Sequence, residues 1–137
     1  MSSTGRFEKL EPEECWRLLE ATTVGRLGFS TDDGIVVLPV NFIPFDSAVY
    51  VRTDPDTVIA KLAEGRDDVA FEVDHHDDLL QRGWNVLLRG STSGADTDDA
   101  ERALASTSRL GPWAPGERPL LIKLSPRRVD GRRVSHH

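Results

Sequence analysis

A mainly β fold is predicted for this chain: a small closed or partly open barrel of about six antiparallel strands, with short helices at the connections. Three observations predict it. Short apolar runs recur at Val24–Phe29, Ile35–Ile43, Ala48–Arg52, Val69–Val73, Trp84–Ser91 and Leu120–Leu124. Most are joined by brief polar breaks of hairpin type, such as Thr31-Asp32-Asp33-Gly34. Helical spacing is confined to two or three short segments, which suits sequential hairpins rather than parallel strands joined by crossover helices. From periodicity alone, an SH3-like or OB-type barrel satisfies the same pattern.

The elements follow in order. Leu10-Glu11-Pro12 opens a helix, because proline suits the first helical position, where its missing N–H has no partner to lose. Cys15, Leu18, Leu19 and Thr22 recur at helical spacing, and Glu13 and Glu14 place negative charge in the first turn. Val24, Leu27 and Phe29 lead into the Asp-Gly hairpin signal. The run Ile35–Ile43 is nearly continuous in apolar residues, as expected of a strand buried on both faces or facing a partner. Pro39 removes one ladder donor from it, so the strand should be irregular or at an edge there. Ala48–Arg52 returns. Asp54 is placed to cap a helix with Pro55 at its first position; Val58, Ile59 and Leu62 bury one side of that helix, and Gly65 ends it. Val69–Val73 is the next strand, followed by the polar break His75-His76-Asp77-Asp78 and a long strand Trp84–Ser91. Asp98–Ser106 reads as a helix capped by Asp98, with Glu101 three residues on. Proline and glycine punctuate residues 110–116 too densely for regular structure. Leu120–Leu124 is the final core strand, with Val129 and Val134 continuing it.

At 137 residues the chain is read as one domain, 1–137, able to bury a single core without staples. Apolar residues make 38% and charged residues 29% of the composition, values suited to a globular protein. The balance of 17 basic against 23 acidic residues, a net charge of −6, argues against general nucleic-acid binding. One basic run stands out: Lys123, Arg127, Arg128, Arg132 and Arg133 against the single acid Asp130. It reads either as a solvated edge strand or as an anion or partner contact. The lone Cys15 excludes an internal disulfide. No apolar run approaches the length that spans a bilayer, and the first residues lack a signal-peptide core. The cytoplasm is the expected compartment.

Arg52, Thr53, Thr57 and Lys61 gather around one strand-to-helix corner, where hydroxyls, cations and free backbone N–H groups could bind a phosphate. Asn41, in an apolar strand, needs its amide satisfied if buried. Trp84 and Trp113 are candidates for core or interface anchors. His75 and His76 point opposite ways in an extended segment with no third histidine near, so no metal site is expected. No nucleophile–base–acid arrangement is visible.

Taken together, several pieces resemble the pyridoxamine 5′-phosphate oxidase-like FMN-binding split-barrel family. They are Val24-Gly25-Arg26-Leu27, Val37-Leu38-Pro39-Val40-Asn41-Phe42, Tyr50-Val51-Arg52-Thr53, Phe71-Glu72-Val73-Asp74, Gly83-Trp84-Asn85-Val86, Pro112-Trp113 and Gly131-Arg132-Arg133. No piece is specific alone; their order and spacing carry the resemblance, from about Cys15 to Arg133. It implies a six-stranded antiparallel split barrel of Greek-key type and a homodimer with flavin between the subunits. It also implies Leu38, Pro39, Val40 and Asn41 along the ring, Arg52 and Thr53 at the phosphate, Thr57 and Lys61 at the following helix, and Trp84 and Trp113 as ring walls. An FMN-dependent oxidoreductase is the function it implies, with a small-molecule substrate and no membrane or nucleic-acid partner. Flavin chemistry needs no catalytic triad, since the ring carries the hydride or electrons. Relatives commonly carry a Gly-Thr-Lys-type step after the Arg-Thr pair; here Asp54-Pro55-Asp56-Thr57 stands instead, with two acids near the presumed phosphate. That departure, and the basic stretch Arg127–Arg133, keep two alternatives open: a deazaflavin-dependent reductase on the same fold, and a non-catalytic flavin-binding or sensing protein.

Overall fold

A computed structural model describes residues 5–107 and 120–136. Its seven strands are β1 (Gly5–Lys9), β2 (Val24–Thr31), β3 (Gly34–Phe45), β4 (Ala48–Thr53), β5 (Arg66–Asp77), β6 (Arg82–Gly94) and β7 (Leu120–His136). Two α-helices accompany them, α1 (Pro12–Glu20) and α2 (Thr97–Ala105), with one 3₁₀ helix, Ile59–Glu64. All pairings are antiparallel. Strands β7-β4-β3-β2-β5-β6 form a ring of six that closes through a β6–β7 pairing, and β1 is added on the free side of β7. The expected six-stranded barrel is therefore present as the ring. The seventh strand escaped the sequence reading because GRFEK has one apolar side chain and no alternation.

Two-residue turns set the hairpins. Asp46 and Ser47 both have positive φ, the pairing that matches strand twist between β3 and β4. At the β2–β3 turn the Asp33 N–H donates to the Thr31 hydroxyl at 3.2 Å, and that hydroxyl donates to the Gly34 carbonyl at 2.7 Å. The barrel interior holds Leu27, Phe29, Phe42, Val51, Phe71, Val73, Val86, Leu88 and Ile122, all buried. Phe42 and Phe71 meet edge to face at 4.9 Å, a favourable arrangement of ring quadrupoles.

Helix α1 closes the barrel through Cys15 and Leu19, both fully buried, and Gly131 makes room for it. A β-carbon at that glycine would lie 2.5 Å from the Cys15 sulfur. Helix α2 packs outside the barrel over Ile43, Ala48 and Tyr50. There the Lys123 ammonium donates to Asp99 at 3.0 Å and lies over the Tyr50 ring at 5.9 Å.

Several boundaries differ from the sequence reading. Helix α2 is capped by Asp96, which accepts from the Asp99 N–H at 2.7 Å, rather than by Asp98. Both are acids followed three residues later by another acidic residue, so the local signal does not separate them. The expected break at His75–Asp78 lies later, because β5 stays paired with β6 as far as Asp77 and Arg82. No α-helix begins at Asp54. Its carbonyl, not its carboxylate, ties a turn at residues 54–57, and the 3₁₀ helix starts at Ile59 without a side-chain cap.

Candidate functional site

The barrel opens between β3 and β4. These strands pair from Phe45–Ala48 to Phe42–Val51 and then part. Beyond that point β4 continues against β7 through Arg52 and Thr53, while β3 continues against β2 alone, from Asn41 back to Gly34. One wall of the resulting split is the stretch Leu38–Asn41, and the other is the Arg52–Thr53 corner. Pro39 pairs with Arg26 in regular register but lies where β3 has no second neighbour among the described residues, which is the edge position its missing donor demanded.

On the β3 wall, Val40 is buried and Leu38 packs partly against the core, whereas Pro39 and Asn41 are exposed. The Asn41 side chain therefore faces outward and has no need of an internal partner. The same outward face carries Ile35, 78% exposed, Val37, 61%, and, across the β2 register, Val24, 53%. Ile35 and Val37 line a groove of about 440 Å³ with Gly28, Val69 and Ala70. The strand is thus buried on one face and exposes apolar side chains on the other, so it is not buried on both faces within one protomer.

On the opposite wall the corner is closely knit. The Thr53 and Thr57 hydroxyls stand 2.5 Å apart. The Thr57 hydroxyl lies 3.0 Å from the Asp54 carbonyl and accepts from the Ala60 N–H at 3.2 Å, and the Thr53 hydroxyl lies 3.3 Å from the same carbonyl, so the two threonines share one acceptor at the turn. Thr57 is engaged in holding the turn; Arg52 is half-buried beside it and Lys61 is exposed on the 3₁₀ helix. Asp54 and Asp56 are exposed, where solvent screening weakens their repulsion of an anion. The donor set suits a phosphate through the Arg52 and Lys61 cations and suits a planar apolar ring through the β3 wall.

Trp84 does not join this site within one protomer. Trp113 lies outside the described residues. Trp84 is half-buried, tilts against His75 with ring centroids 6.4 Å apart, and pairs with Arg133 of β7, whereas Thr53 pairs with Leu120 of the same strand. Residues 121–132 of β7 separate those levels. Trp84 instead borders a cleft of about 800 Å³ with Glu72, Asp74, His75, Asn85 and Arg132.

That neighbourhood holds a cluster the sequence reading left out. Arg26 donates to Glu72 at 3.2 Å and to Asp74 at 3.1 Å. Glu72 and Asp74 alternate with buried Phe71 and Val73 and so share the outward face; their common cation, Arg26, stands on β2 between β5 and the Pro39 end of β3. Burial pushes the Glu72 carboxyl above its ordinary value, and the neighbouring Asp74 pushes it further, against the opposing pull of Arg26. Among the described residues, no three histidine, cysteine or acidic groups assemble as a metal site, and His76 contacts Asp78 at 2.7 Å.

The basic run is largely neutralised. Lys123 pairs with Asp99, Arg127 with Asp68, Arg128 with Asp130 and Arg133 with Glu14, while the Arg132 guanidinium lies over Phe7 at 5.3 Å. β7 is also not a simple edge strand, being paired with β6 over residues 122–134. A groove for a polyanionic coenzyme tail gains little support from cations already paired.

Comparisons with known proteins place this geometry. A family model described as pyridoxamine 5′-phosphate oxidase matches residues 11–133. Among solved structures, the chain is similar to an FAD-binding protein from Mycobacterium smegmatis, with 28% identity, coverage of 93% of this chain and 98% of the other, and a TM-score of 0.77. It is similar also to a conserved protein of unknown function from Corynebacterium diphtheriae, with 29% identity, coverage of 96% and 98%, and a TM-score of 0.74. An FAD-binding protein from Mesorhizobium loti shares the fold at 22% identity, with coverage of 98% and 99% and a TM-score of 0.75. No curated protein matches the sequence.

Proposed function

Because the chain belongs to the pyridoxamine 5′-phosphate oxidase family, we propose that it binds a flavin nucleotide, FMN in the first instance, and acts as an oxidoreductase in homodimeric form. The observation that carries this reading is the split between β3 and β4, with an exposed strand edge at Pro39 and Asn41 on one side and the Arg52–Thr53 corner on the other. Arg52 and Lys61 would neutralise the phosphate, Thr53 would approach it, and Thr57 would hold the corner in shape. Pro39 and Asn41 would border the ring directly, with Leu38 and Val40 fixing the strand from beneath. The bound ring would supply the hydride or electron transfer, and the protein would orient it and limit water access.

Homodimerisation is supported by the outward apolar face of Ile35, Val37 and Val24, which a second copy would cover. It would also let Trp84 or Trp113 of the second subunit serve as a wall for the ring. FAD contains the same ring and proximal phosphate as FMN, and the binding ascribed to the Mycobacterium smegmatis protein makes it the first competitor. We place the protein, as one domain, in the cytoplasm; no described helix is long and apolar enough to cross a membrane.

The test is titration of apo protein with FMN, FAD and a deazaflavin, followed by flavin fluorescence and absorbance, with native mass measured alongside. Saturable binding of one flavin per protomer by a dimer is the expected result. A deazaflavin bound in preference would transfer the reading to that coenzyme, and a monomer that binds none of the three would remove it.

A further inference from the structure

We infer that the outer face of β1, β7 and β6 carries a second anion site, separate from the β3–β4 split, and that it takes a nucleoside diphosphate. The inference goes beyond the flavin reading and does not depend on it.

Strand register places the residues. On β6, Val86 and Leu88 are fully buried, so Asn85, Leu87 and Arg89 face outward. Their partners on β7 are Arg132, Asp130 and Arg128, and Lys9 of β1 stands on the other side of Arg132. Directly opposed side chains of an antiparallel pair start about 5 Å apart, and like charges there are destabilising. Two such pairs fall on this one face: Lys9 with Arg132, and Arg89 with Arg128. Neighbouring acids do not offset them. Arg128 holds Asp130 at 2.9 Å, but among the described residues no carboxylate pairs with Lys9, Arg89 or Arg132. Arg132 is thus the member of the basic run that lacks an acid, and its guanidinium lies over the Phe7 ring at 5.3 Å.

All four cations line one groove of about 350 Å³, with Asp130 as its single acid. A multiply charged anion laid there would relieve both opposed pairs through charge-assisted hydrogen bonds. From Asn85 to Arg89 the strand advances about 13–14 Å. Long side chains reach inward from both ends of that span, which suits two linked phosphates better than one. Phe7 is 66% exposed at the same groove. A planar base can join the layer that Phe7 and Arg132 already form, and the half-buried Asn85 amide offers it a hydrogen bond. An extended nucleic-acid strand fits poorly. Glu72 and Asp74 of β5 pair with Leu87 and Asn85 and so border the groove with negative charge, and the chain as a whole carries −6.

Isothermal titration of full-length protein with ADP at low salt tests the inference. Saturable binding of one ADP per protomer is expected, with AMP and adenosine weaker. The double variant Lys9→Gln, Arg89→Gln is expected to bind ADP about tenfold more weakly or worse, while Arg52→Ala and saturating FMN leave the affinity unchanged. Without ligand that double variant should melt no lower than the native protein, since both opposed pairs are relieved. ADP binding that is absent, matched by AMP, unchanged in the double variant or displaced by FMN overturns the inference. A double variant that melts well below the native protein overturns it too, because the cations would then be stabilising the sheet themselves. A protein that binds ADP as described and no flavin removes the flavin reading and leaves this site standing.

Discussion

Gly25 lies directly beneath the Phe71 ring: a β-carbon on it would stand 2.6 Å from Phe71 Cε1, closer still to Cζ, and 3.1 Å from a Val73 methyl. The glycine faces the interior of β2, and its missing side chain is the space the Phe71 ring occupies against Phe42. Phe71 is fully buried in a closed ring of strands, so it has little room to yield. Gly25→Ala is expected to destabilise the fold by about 1–3 kcal/mol, the usual cost of overpacking a tight core. Urea unfolding measures it directly, and an unchanged midpoint would mean the ring repacks at no cost.

On the proposed flavin reading, Arg52 at the end of β4 is the cation that would meet the phosphate. Arg52→Ala is expected to weaken FMN binding by about 1.5–3 kcal/mol, the range for a charge-assisted hydrogen bond. Lys61→Ala, on the exposed 3₁₀ helix, should cost less, about 0.5–1 kcal/mol in the manner of a solvated ion contact. Fluorescence titration of both variants separates these effects. An Arg52 variant with unaltered affinity would take that residue out of the site.

The barrel was legible because its signals are local and repeated: alternation in β2 and β5, two-residue turns, and a proline that is tolerated where a strand has one neighbour. β1 was not, because its pairing with residues 132–136 of β7 depends on contacts made across nearly the whole chain. The corner after β4 was located correctly but misread in detail. Asp54-Pro55 carries the letters of a helix start, yet the Thr53–Thr57 hydroxyl contact and the Asp54 carbonyl fold it into a turn instead. The Arg26–Glu72–Asp74 cluster was invisible because Arg26 and Glu72 become neighbours only through the β2–β5 pairing. The same limit applies to the basic run, whose partners Asp68, Asp99 and Glu14 come from three different elements.

Cys15 is fully buried on α1, and its thiol is raised above the ordinary value, chiefly by burial and then by the charge of Asp130. The reactive form is the thiolate, so native protein should react with a thiol reagent such as Ellman's only as fast as α1 opens. In urea one thiol per chain should react at once. Rapid stoichiometric reaction of the native protein would show that α1 leaves the barrel readily.

Glu72 sets a pH dependence whose sign follows from its surroundings. Burial and Asp74 hold its carboxyl above the usual value despite Arg26. The folded protein therefore binds that proton more tightly than the unfolded chain does. The associated stabilisation is fully present below the unfolded-state pKa and is lost as pH rises through the folded-state value. Glu72→Gln keeps the shape, removes the titration and leaves Arg26 paired with Asp74. Near pH 4 the variant and the native chain should have similar melting temperatures, while near pH 7 the variant should be the more stable of the two. Thermal melts across that interval decide the matter. A native chain that gains on the variant as pH rises would show that Arg26, rather than burial and Asp74, governs the carboxyl.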